Sequence, residues 1–557
     1  MSGRWRRLPV LAALLAALAA MPSLRGEFVY DDYPYVVDNA DLAGGWDRVP
    51  RLFRVAFPSE APERGLYRPL TALSYRLDRS GGTRGPTRYH VTNLVLAFAL
   101  GLAAHEALRR VLSARSAVAG AFLFAVHPVH VESVAWITGR SELLSALGAL
   151  LAFAWAVDTL RSGGRGRAAA AGAALLLGAL AKENALVVLP LLGLVTFVER
   201  RTTSPARVVL AFTPLLVASG AVLALRWSVL GALGPGGGET VGGPTLASRG
   251  PLIVAALGEH LRLLLWPHPL SIERMPRAPG AWSDPRVVAG AVTVAAWVGG
   301  VWALRRRRSV RLLGLWPIVA LAPVMHLVPI GETVAERFLL LPSLGVAGVL
   351  GAALIESGQG RNIRRALLVA LVLAGFVVSW RYASEWRTEE SVWRHAVNVE
   401  PGSATAWTAL GDSYARRDWP DKAEPLYQKA LALDPGLTVA RLALAQTLDE
   451  RGRPDLALVE TQEAVRLAPD HAKALNNLGA RLARAGRVPE AEEMFRRAIA
   501  RAPGYAPALR NAAFAAEDRG DRGEAVRLWE RARAADPRLP LASEVFRAAS
   551  PESSSAR

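Results

Sequence analysis

Pro401, Pro435, Pro469, Pro503 and Pro537 stand at a strict 34-residue interval. A period of that length in a helix-favouring background specifies stacked helix pairs, since one pair cannot bury its apolar face until a neighbour covers it. The register holds away from the prolines: Ala430, Ala464, Ala498 and Ala532 share one position, and Gly452, Gly486 and Gly520 share another in the turns. An unrelated four-helix bundle has no need of the same period four times.

Counted from Ala404, the first unit carries Trp407, Leu410, Gly411, Tyr414, Ala423, Tyr427 and Ala430, and the third carries Leu475, Leu478, Gly479, Leu482, Ala491, Phe495 and Ala498. This resembles the tetratricopeptide pattern, in which small residues let two helices approach and large ones fill the gap. The second and fourth units depart from it at Arg441, Thr461 and Ala516. Four repeats are expected over 404–539. Trp393 and Ala396 continue the register backwards, so 383–403 reads as a connecting half repeat, and 540–557 as a disordered tail.

The rest of the chain is a different material. With 557 residues, 52% hydrophobic content and positive mean hydropathy, it is too apolar for two soluble domains. It has no cysteine, which excludes disulfides, zinc–thiolate sites and cysteine nucleophiles. A net charge of +18 raises the question of nucleic acid, but the basic residues fall between apolar segments rather than on one soluble face. Apolar stretches recur at 8–24, 91–108, 116–134, 141–160, 168–181, 184–198, 208–230, 286–304, 311–329, 337–355 and 366–382. Read together they predict eleven crossings within a membrane domain over 1–382, with outer loops at 25–90 and 231–285. A further run, 250–266, carries Glu259, His260 and Arg262 and reads as an interfacial helix.

Arginine sets the orientation. With Arg4, Arg6 and Arg7 in the cytoplasm, later cytoplasmic loops hold Arg109/Arg110/Arg115, Arg161/Arg165/Arg167, Arg200/Arg201/Arg207, Arg305 to Arg308 with Arg311, and Arg361/Arg364/Arg365. The opposite loops hold only Arg140, Lys182 and Arg337 among their short members, and an odd number of crossings puts the array outside the cytoplasm. The first segment also suits a cleaved signal peptide. We take it as an anchor, because the carboxylates that follow it call for one. The missing cysteines and the Ala/Arg bias fit a bacterial inner membrane, with the array periplasmic.

Ionisable groups collect at the extracytoplasmic helix ends, where they are costly and usually kept for a task. Glu27-Phe28-Val29-Tyr30-Asp31-Asp32-Tyr33 opens the first outer loop. Adjacent carboxylates repel, and nearby aromatics and lipid raise their proton affinity further, which tunes one of them as a general base; two capping or turn aspartates are the plainer reading. His127, His130 and Glu132 could ligate a metal, although Pro128 breaks the helical face between the imidazoles, so a polar hydrogen-bond cluster is the alternative. Arg140 and Arg337 either snorkel to headgroups or grip phosphate. Lys182-Glu183 is either a self-satisfied pair or part of a site, and Trp136 either interfacial belt or sugar platform. Asn477 and Asn511, in one register of successive repeats, either bond a peptide backbone or serve helix packing.

An acidic pair directly after the first crossing resembles the catalytic motif of GT-C glycosyltransferases. Tyr67-Arg68-Pro69-Leu70, Tyr89-His90-Val91-Thr92-Asn93, His127 to Trp136, Gly139-Arg140-Ser141-Glu142, Lys182-Glu183 and Glu336-Arg337-Phe338-Leu339 follow in order. With the repeats behind them, they resemble the transmembrane and tetratricopeptide repeat-containing proteins over nearly the whole chain. Tyr30 and Leu340 depart from that pattern, where tryptophan and tyrosine are usual. The resemblance implies an all-α fold, a polytopic GT-C-like domain followed by a tetratricopeptide α-solenoid. It implies inverting transfer of a sugar, mannose foremost, from a polyprenyl-phosphate donor to Ser/Thr hydroxyls of proteins held by the array. Asp31 is then the base and Asp32 its support. Arg140 and Arg337 hold the departing phosphate, with His90, His127, His130, Glu132, Lys182 and Glu183 completing the donor site and Asn477 and Asn511 touching the acceptor. The lipid-linked sugar is a substrate, and no metal or other cofactor is assigned. Two other readings are a transferase acting on a lipid or envelope glycan, and a membrane-anchored scaffold without activity.

Overall fold

The computed structural model describes residues 3–43, 45–59, 64–80, 85–199, 203–232, 245–275, 277–303, 306–328, 331–356, 360–536 and 538–546. Arg200, Arg201, Arg305, Pro537, part of the 231–285 loop and most of the 540–557 tail lie outside them, as do the side chains of Arg4 and Arg6. No strand occurs among the described residues, so the all-α expectation holds. The chain forms two compact units, Met1–Pro401 and Gly402–Arg557.

A helix lies at each of the eleven apolar stretches of the first unit, but they are not alike. Thr87–Leu108, Arg140–Ser162, Pro205–Leu230, Pro285–Ala303 and Arg361–Glu385 are long and apolar enough to cross a membrane, and the pair Ala114–Ala125 and Pro128–Ala135, bent by 55°, makes a sixth if counted as one span. Gly3–Ala19, Arg165–Ala181, Val188–Glu199, Arg308–Leu321 and Ser343–Glu356 are shorter. The eleven-span count therefore rests on helices that stop early, and the stops fall at polar sequence, His127-Pro128, Lys182-Glu183 and Glu336-Arg337, or at proline, Ala322-Pro323.

A helix that ends away from water leaves carbonyls unpaired, at a cost of several kcal/mol each in hydrocarbon (about the penalty of a lost hydrogen bond without solvent rescue). Neighbouring helices supply the missing donors here. Ser379 Oγ donates to Val126 O at 3.0 Å, Thr71 Oγ1 to Ala181 O at 3.0 Å, Ser145 Oγ to Lys182 O at 3.0 Å, and Trp316 Nε1 to Leu341 O at 2.8 Å. Asn93 Nδ2 serves both Val134 O and Trp136 O, at 3.1 and 3.0 Å. The breaks are thus built into the packing.

Arg140–Ser162 is the most enclosed of the long helices. A Cβ added at Gly148 would sit 2.6 Å from Gly178 Cα, so only glycine lets this helix lie against Arg165–Ala181. Without a hydrophobic force between helices in lipid, such close backbone approach supplies the van der Waals contact that holds them. The Leu246–Leu265 run, expected at an interface, is a 20-residue helix with Leu252, Ala255, Ala256, Leu261 and Leu264 buried and exposed Leu246 and Leu265 at its ends.

Polar side chains gather at both ends of Arg140–Ser162, roughly 33 Å apart at about 1.5 Å per residue. At one end Arg110 pairs with Asp158 at 2.8 Å, Arg161 with Glu199 at 2.6 Å, and Arg308 with the same Glu199. Arg207 Nη1 donates to Arg161 O at 2.7 Å. Four of the arginine clusters read from sequence thus meet on one face. The other end holds the acidic doublet and its neighbours.

The second unit repeats a helix pair four times: Ala404–Ala415 with Pro420–Leu433, Thr438–Glu450 with Pro454–Leu467, Ala472–Arg484 with Val488–Arg501, and Ala506–Asp518 with Arg522–Ala535. Asp418, Gly452, Gly486 and Gly520 occupy one register and all have positive φ, from 57° to 87°. This left-handed cap ends the first helix of each pair, and Asp is among the few residues besides Gly that accept it. The two irregular units close by other means. Buried Thr461 satisfies its hydroxyl on Ala457 O at 2.7 Å, and the space beside Ala516 is taken by Trp529, with Phe514 and Phe546 edge-on to it. The connecting helix, Glu389–Val399, falls within the first unit, whose boundary follows Pro401.

A Cβ at Gly479 would lie 2.6 Å from the Phe495 ring and 3.0 Å from Ala491 O, whereas nothing lies within 4 Å at Gly504. Gly479→Val is expected to destabilise the array by about 1–3 kcal/mol through overpacking. Limited proteolysis of the full-length protein should show early cleavage within 402–546 for this variant and parental resistance for Gly504→Ala.

Candidate functional site

A cavity of about 760 Å³ opens at Asp31. Its wall carries the cations Arg64, Arg68, Lys182, Arg226 and Arg337 and the carboxylates Asp31, Glu142, Glu183 and Glu332. Tyr35, Phe57 and Tyr75 form an aromatic side, with Tyr35 and Phe57 stacked at 5.5 Å and Phe57 and Tyr75 at 6.4 Å.

The doublet divides its two carboxyls between different environments. Asp32 is wholly buried; Oδ2 accepts the Val29 N–H and Oδ1 the Thr138 N–H, both at 3.0 Å. Asp31 faces the cavity, 29% exposed, with Arg64 Nη1 at 3.9 Å. Burial pushes Asp31 up to about 6, while Arg64 pulls it down, and Arg337 and Arg68 do so more weakly. Burial pushes Asp32 to about 8 against its two N–H donors. Two adjacent carboxyls whose environments separate their proton affinities can take different roles, one charged and reactive, the other structural.

Most of the cavity's cations already have anionic partners. Lys182 pairs with Glu142, Arg337 with Glu132 and Glu332, and Arg226 Nη1 lies 3.9 Å from Glu183 while Nη2 donates to Gly65 O at 2.7 Å. Arg68 also has an anion near it: burial raises Glu183, and Arg68 does most to lower it, while Arg68 Nε is buried and has no hydrogen-bond partner among the described residues.

The structure brings Asp31, Lys182, Glu183 and Arg337 onto one wall and leaves the other candidates of the first unit off it. Arg140 is the largest departure. It is fully buried, paired with Asp78 at 2.6 Å, bonded through Nε to Asn93 Oδ1 and through Nη2 to Tyr89 O at 2.8 Å each, and stacked on the Tyr75 ring at 4.7 Å. Its donors are spent on neighbouring helices, so it holds the wall and does not line it. Glu132, also fully buried, accepts the Arg337 N–H at 2.9 Å and orients that side chain towards the cavity. His127 Nε2 donates to Leu264 O at 3.1 Å; Ser343 Oγ donates to Leu340 O and so accepts from His130 Nε2 at 2.8 Å. His90 is buried beneath Gly26. None of the three imidazoles lines the cavity, and among the described residues no group of three or more His, Cys, Asp or Glu side chains is arranged to hold a metal ion. In the array, Asn511 Nδ2 donates to Asn476 Oδ1 at 2.9 Å, and Asn476 Nδ2 to Asn477 Oδ1 at 3.3 Å, so these amides bond across adjacent repeats.

Sequence reasoning passed over Arg64, Arg68, Arg226 and Tyr35. Two signals were available: Arg68 stands inside the Tyr67-Arg68-Pro69-Leu70 string, and Arg226 is the one arginine beyond the first turn of the largely apolar Pro205–Leu230 helix, where an ionisable group is rarely idle.

Apolar spanning-length helices, a charged cavity at their polar end and a helix-pair array define an integral membrane protein that carries tetratricopeptide repeats. The tetratricopeptide repeat family matches residues 404–447 and 442–506. Relatives match over up to 74% of the chain. The chain is 29% identical to human protein O-mannosyl-transferase TMTC4 over 482 residues, covering 74% of this chain and 64% of that protein. It is 27% identical to Caenorhabditis elegans protein O-mannosyl-transferase F38B6.6 over 421 residues, 72% and 59% of the two chains. A shorter match to mouse protein O-mannosyl-transferase TMTC3 reaches 38% over 130 residues, 23% of this chain and 14% of that one. The chain is thus similar over most of its length to proteins named protein O-mannosyl-transferases, and it spans slightly less than two thirds of the length of the first of them. Among solved structures, YrrB, titled a tetratricopeptide repeat protein with an unusual peptide-binding site, is 23% identical, covering 35% of this chain and 96% of its own, with a TM-score of 0.25.

Removing one partner of a buried ion pair strands the other, at a cost of about 3–5 kcal/mol. Arg140→Ala is therefore expected to lower the thermal unfolding midpoint of the detergent-purified protein sharply. Arg68→Ala should lower it less, because Glu183 keeps Lys182 and Arg226 beside it when Arg68 is gone.

Proposed function

We propose that the protein is a membrane glycosyltransferase that moves a sugar, mannose foremost, from a polyprenyl-phosphate donor to Ser/Thr hydroxyls of proteins held by the repeat array. The observation that carries this reading is Asp31, half-sheltered in a cavity whose wall also presents Arg68 with its Nε unpartnered among the described residues. Transfer off a polyprenyl phosphate needs a base for the incoming hydroxyl and positive charge for the departing phosphate. Asp31 accepts the Ser/Thr proton as the oxygen attacks the anomeric carbon. The glycosidic C–O bond breaks on the opposite face, and its electron pair leaves with the phosphate towards Arg68, supported by Arg64 and Arg337. A single displacement of this kind inverts the anomeric centre and needs no covalent enzyme intermediate.

Asp32 fixes the loop from behind, and Tyr35, Phe57 and Tyr75 offer apolar faces for the C–H side of a sugar ring. The names of the relatives support the reaction type. The two polar ends of the bundle support the sidedness: the arginine-rich end faces the cytoplasm, and the cavity, with the array, faces the periplasm of a bacterial inner membrane. Tethering an acceptor-binding array to the same chain raises the local acceptor concentration.

The test is purified full-length protein with a panel of polyprenyl-phosphate sugars and Ser/Thr peptides. Asp31→Asn is expected to lower kcat about 10²–10⁴-fold, the usual worth of a positioned base, with the fold intact. A base must be ionised, and Asp31 lies near 6, so kcat/KM should fall as pH drops through about 6 and plateau above it. Undiminished turnover in Asp31→Asn overturns the assignment.

Arg68→Ala is expected to reduce kcat/KM for the polyprenyl-phosphate donor by about 10–10²-fold, in keeping with loss of one charge-assisted contact. Measuring KM for the peptide separately should show little change, and an equal rise in both would argue against a phosphate role.

A further inference from the structure

The loop that carries Asp31 has an unusual residue beside it. Tyr30 has φ of +49°, a left-handed conformation that side chains other than Gly, Asn and Asp seldom adopt and that persists only when its surroundings enforce it. Besides the Asp32 turn and the Trp136 ring, whose centroid lies 6.1 Å from that of Tyr30, the enforcing contacts come from one stretch of the chain. Glu389 Oε1 accepts the Tyr30 N–H at 3.1 Å, the Tyr30 ring stands edge-on to Trp393 at 5.1 Å, and three residues earlier the Glu27 N–H donates to Arg387 O at 2.9 Å. Glu389 is only 4% exposed and sits in the first turn of Glu389–Val399, where the helix dipole favours its negative charge. A Thr388–Ser391 capping box fixes that turn.

We infer that Glu389 is a positioning residue for the Asp31 base: by holding the Tyr30 backbone in its left-handed turn, it aims the Asp31 carboxyl into the cavity. The inference rests on the glycosyl-transfer reading for its kinetic consequence but not for its structural one. Without the carboxylate, Tyr30 relaxes to negative φ. Such a change redirects the next residue, so Asp31 leaves the cavity wall while the Arg68 side is untouched. Glu389–Val399 is also the last helix before the repeats in sequence, so the clamp on the base and the start of the array are carried by the same stretch of chain.

Two measurements on full-length protein test this. Hydrogen–deuterium exchange over residues 27–35 should rise at least severalfold in Glu389→Ala and stay near the parent in Glu389→Gln, whose amide oxygen can accept the same N–H. In the transfer assay, Glu389→Ala should lower kcat about tenfold with donor KM within about twofold, and Glu389→Gln should restore most of it. Glycine adopts positive φ without strain, so in a Tyr30→Gly background the further effect of Glu389→Ala on kcat should shrink below about twofold. Unchanged exchange in Glu389→Ala overturns the inference, as does an undiminished effect in the Tyr30→Gly background. If the parent transfers no sugar from any donor, the functional reading fails, and exchange alone still decides whether Glu389 orders the loop.

Discussion

Backbone groups removed from water must find partners inside the protein, and that requirement shapes this membrane unit. Long uninterrupted helices satisfy it by themselves. Here several apolar helices break off within the bundle, and side chains from other helices bond the carbonyls beside most of the breaks: Ser379 for Val126, Thr71 for Ala181, Trp316 for Leu341, Asn93 for Val134 and Trp136. Irregular backbone at such depth is tolerable where it borders a cavity, and the segments after Ala135 and Ala181 and around Glu336 supply Trp136, Thr138, Lys182, Glu183, Arg337 and Phe338 to this one. The cavity exists because the helices are broken, and the breaks hold because neighbours complete them.

Charge follows the same logic. Each cavity cation has an anion near it: Arg64 has Asp31, Lys182 has Glu142, Arg337 has Glu132 and Glu332, and Arg226 and Arg68 both act on Glu183, which lets a basic wall persist in low dielectric. Arg140 shows the cost of the arrangement. A guanidinium with a carboxylate, an amide, a carbonyl and an aromatic face around it is fully buried, so its place is behind the wall.

The 34-residue period was legible from the prolines, alanines and glycines alone, because repeat packing is local and each position recurs in register. The membrane helices were legible in place but less so in length, since hydropathy locates apolar residues and says little about where a chain bends. The acidic doublet was legible as a pair, and the split between a buried Asp32 and a cavity-facing Asp31 was not, because it depends on Thr138 and Val29 N–H groups that only folding brings near. Arg140 and Arg68 exchange the weight that sequence assigned them for the same reason. Which arginine meets Asp78, contributed by a helix of the first outer loop, is a matter of tertiary pairing that spacing along the chain does not encode.

The Arg140–Ser162 helix joins the two polar ends of the bundle without interruption, with Glu142 engaged at one end and Asp158 at the other. It therefore acts as a ruler. One extra residue within it would turn its ends by about 100° relative to each other and lengthen it by about 1.5 Å, so one of the two anions must abandon its partner. Insertions and deletions should be purged from this stretch more strictly than substitutions, and the thickness of the bundle is set by this one segment.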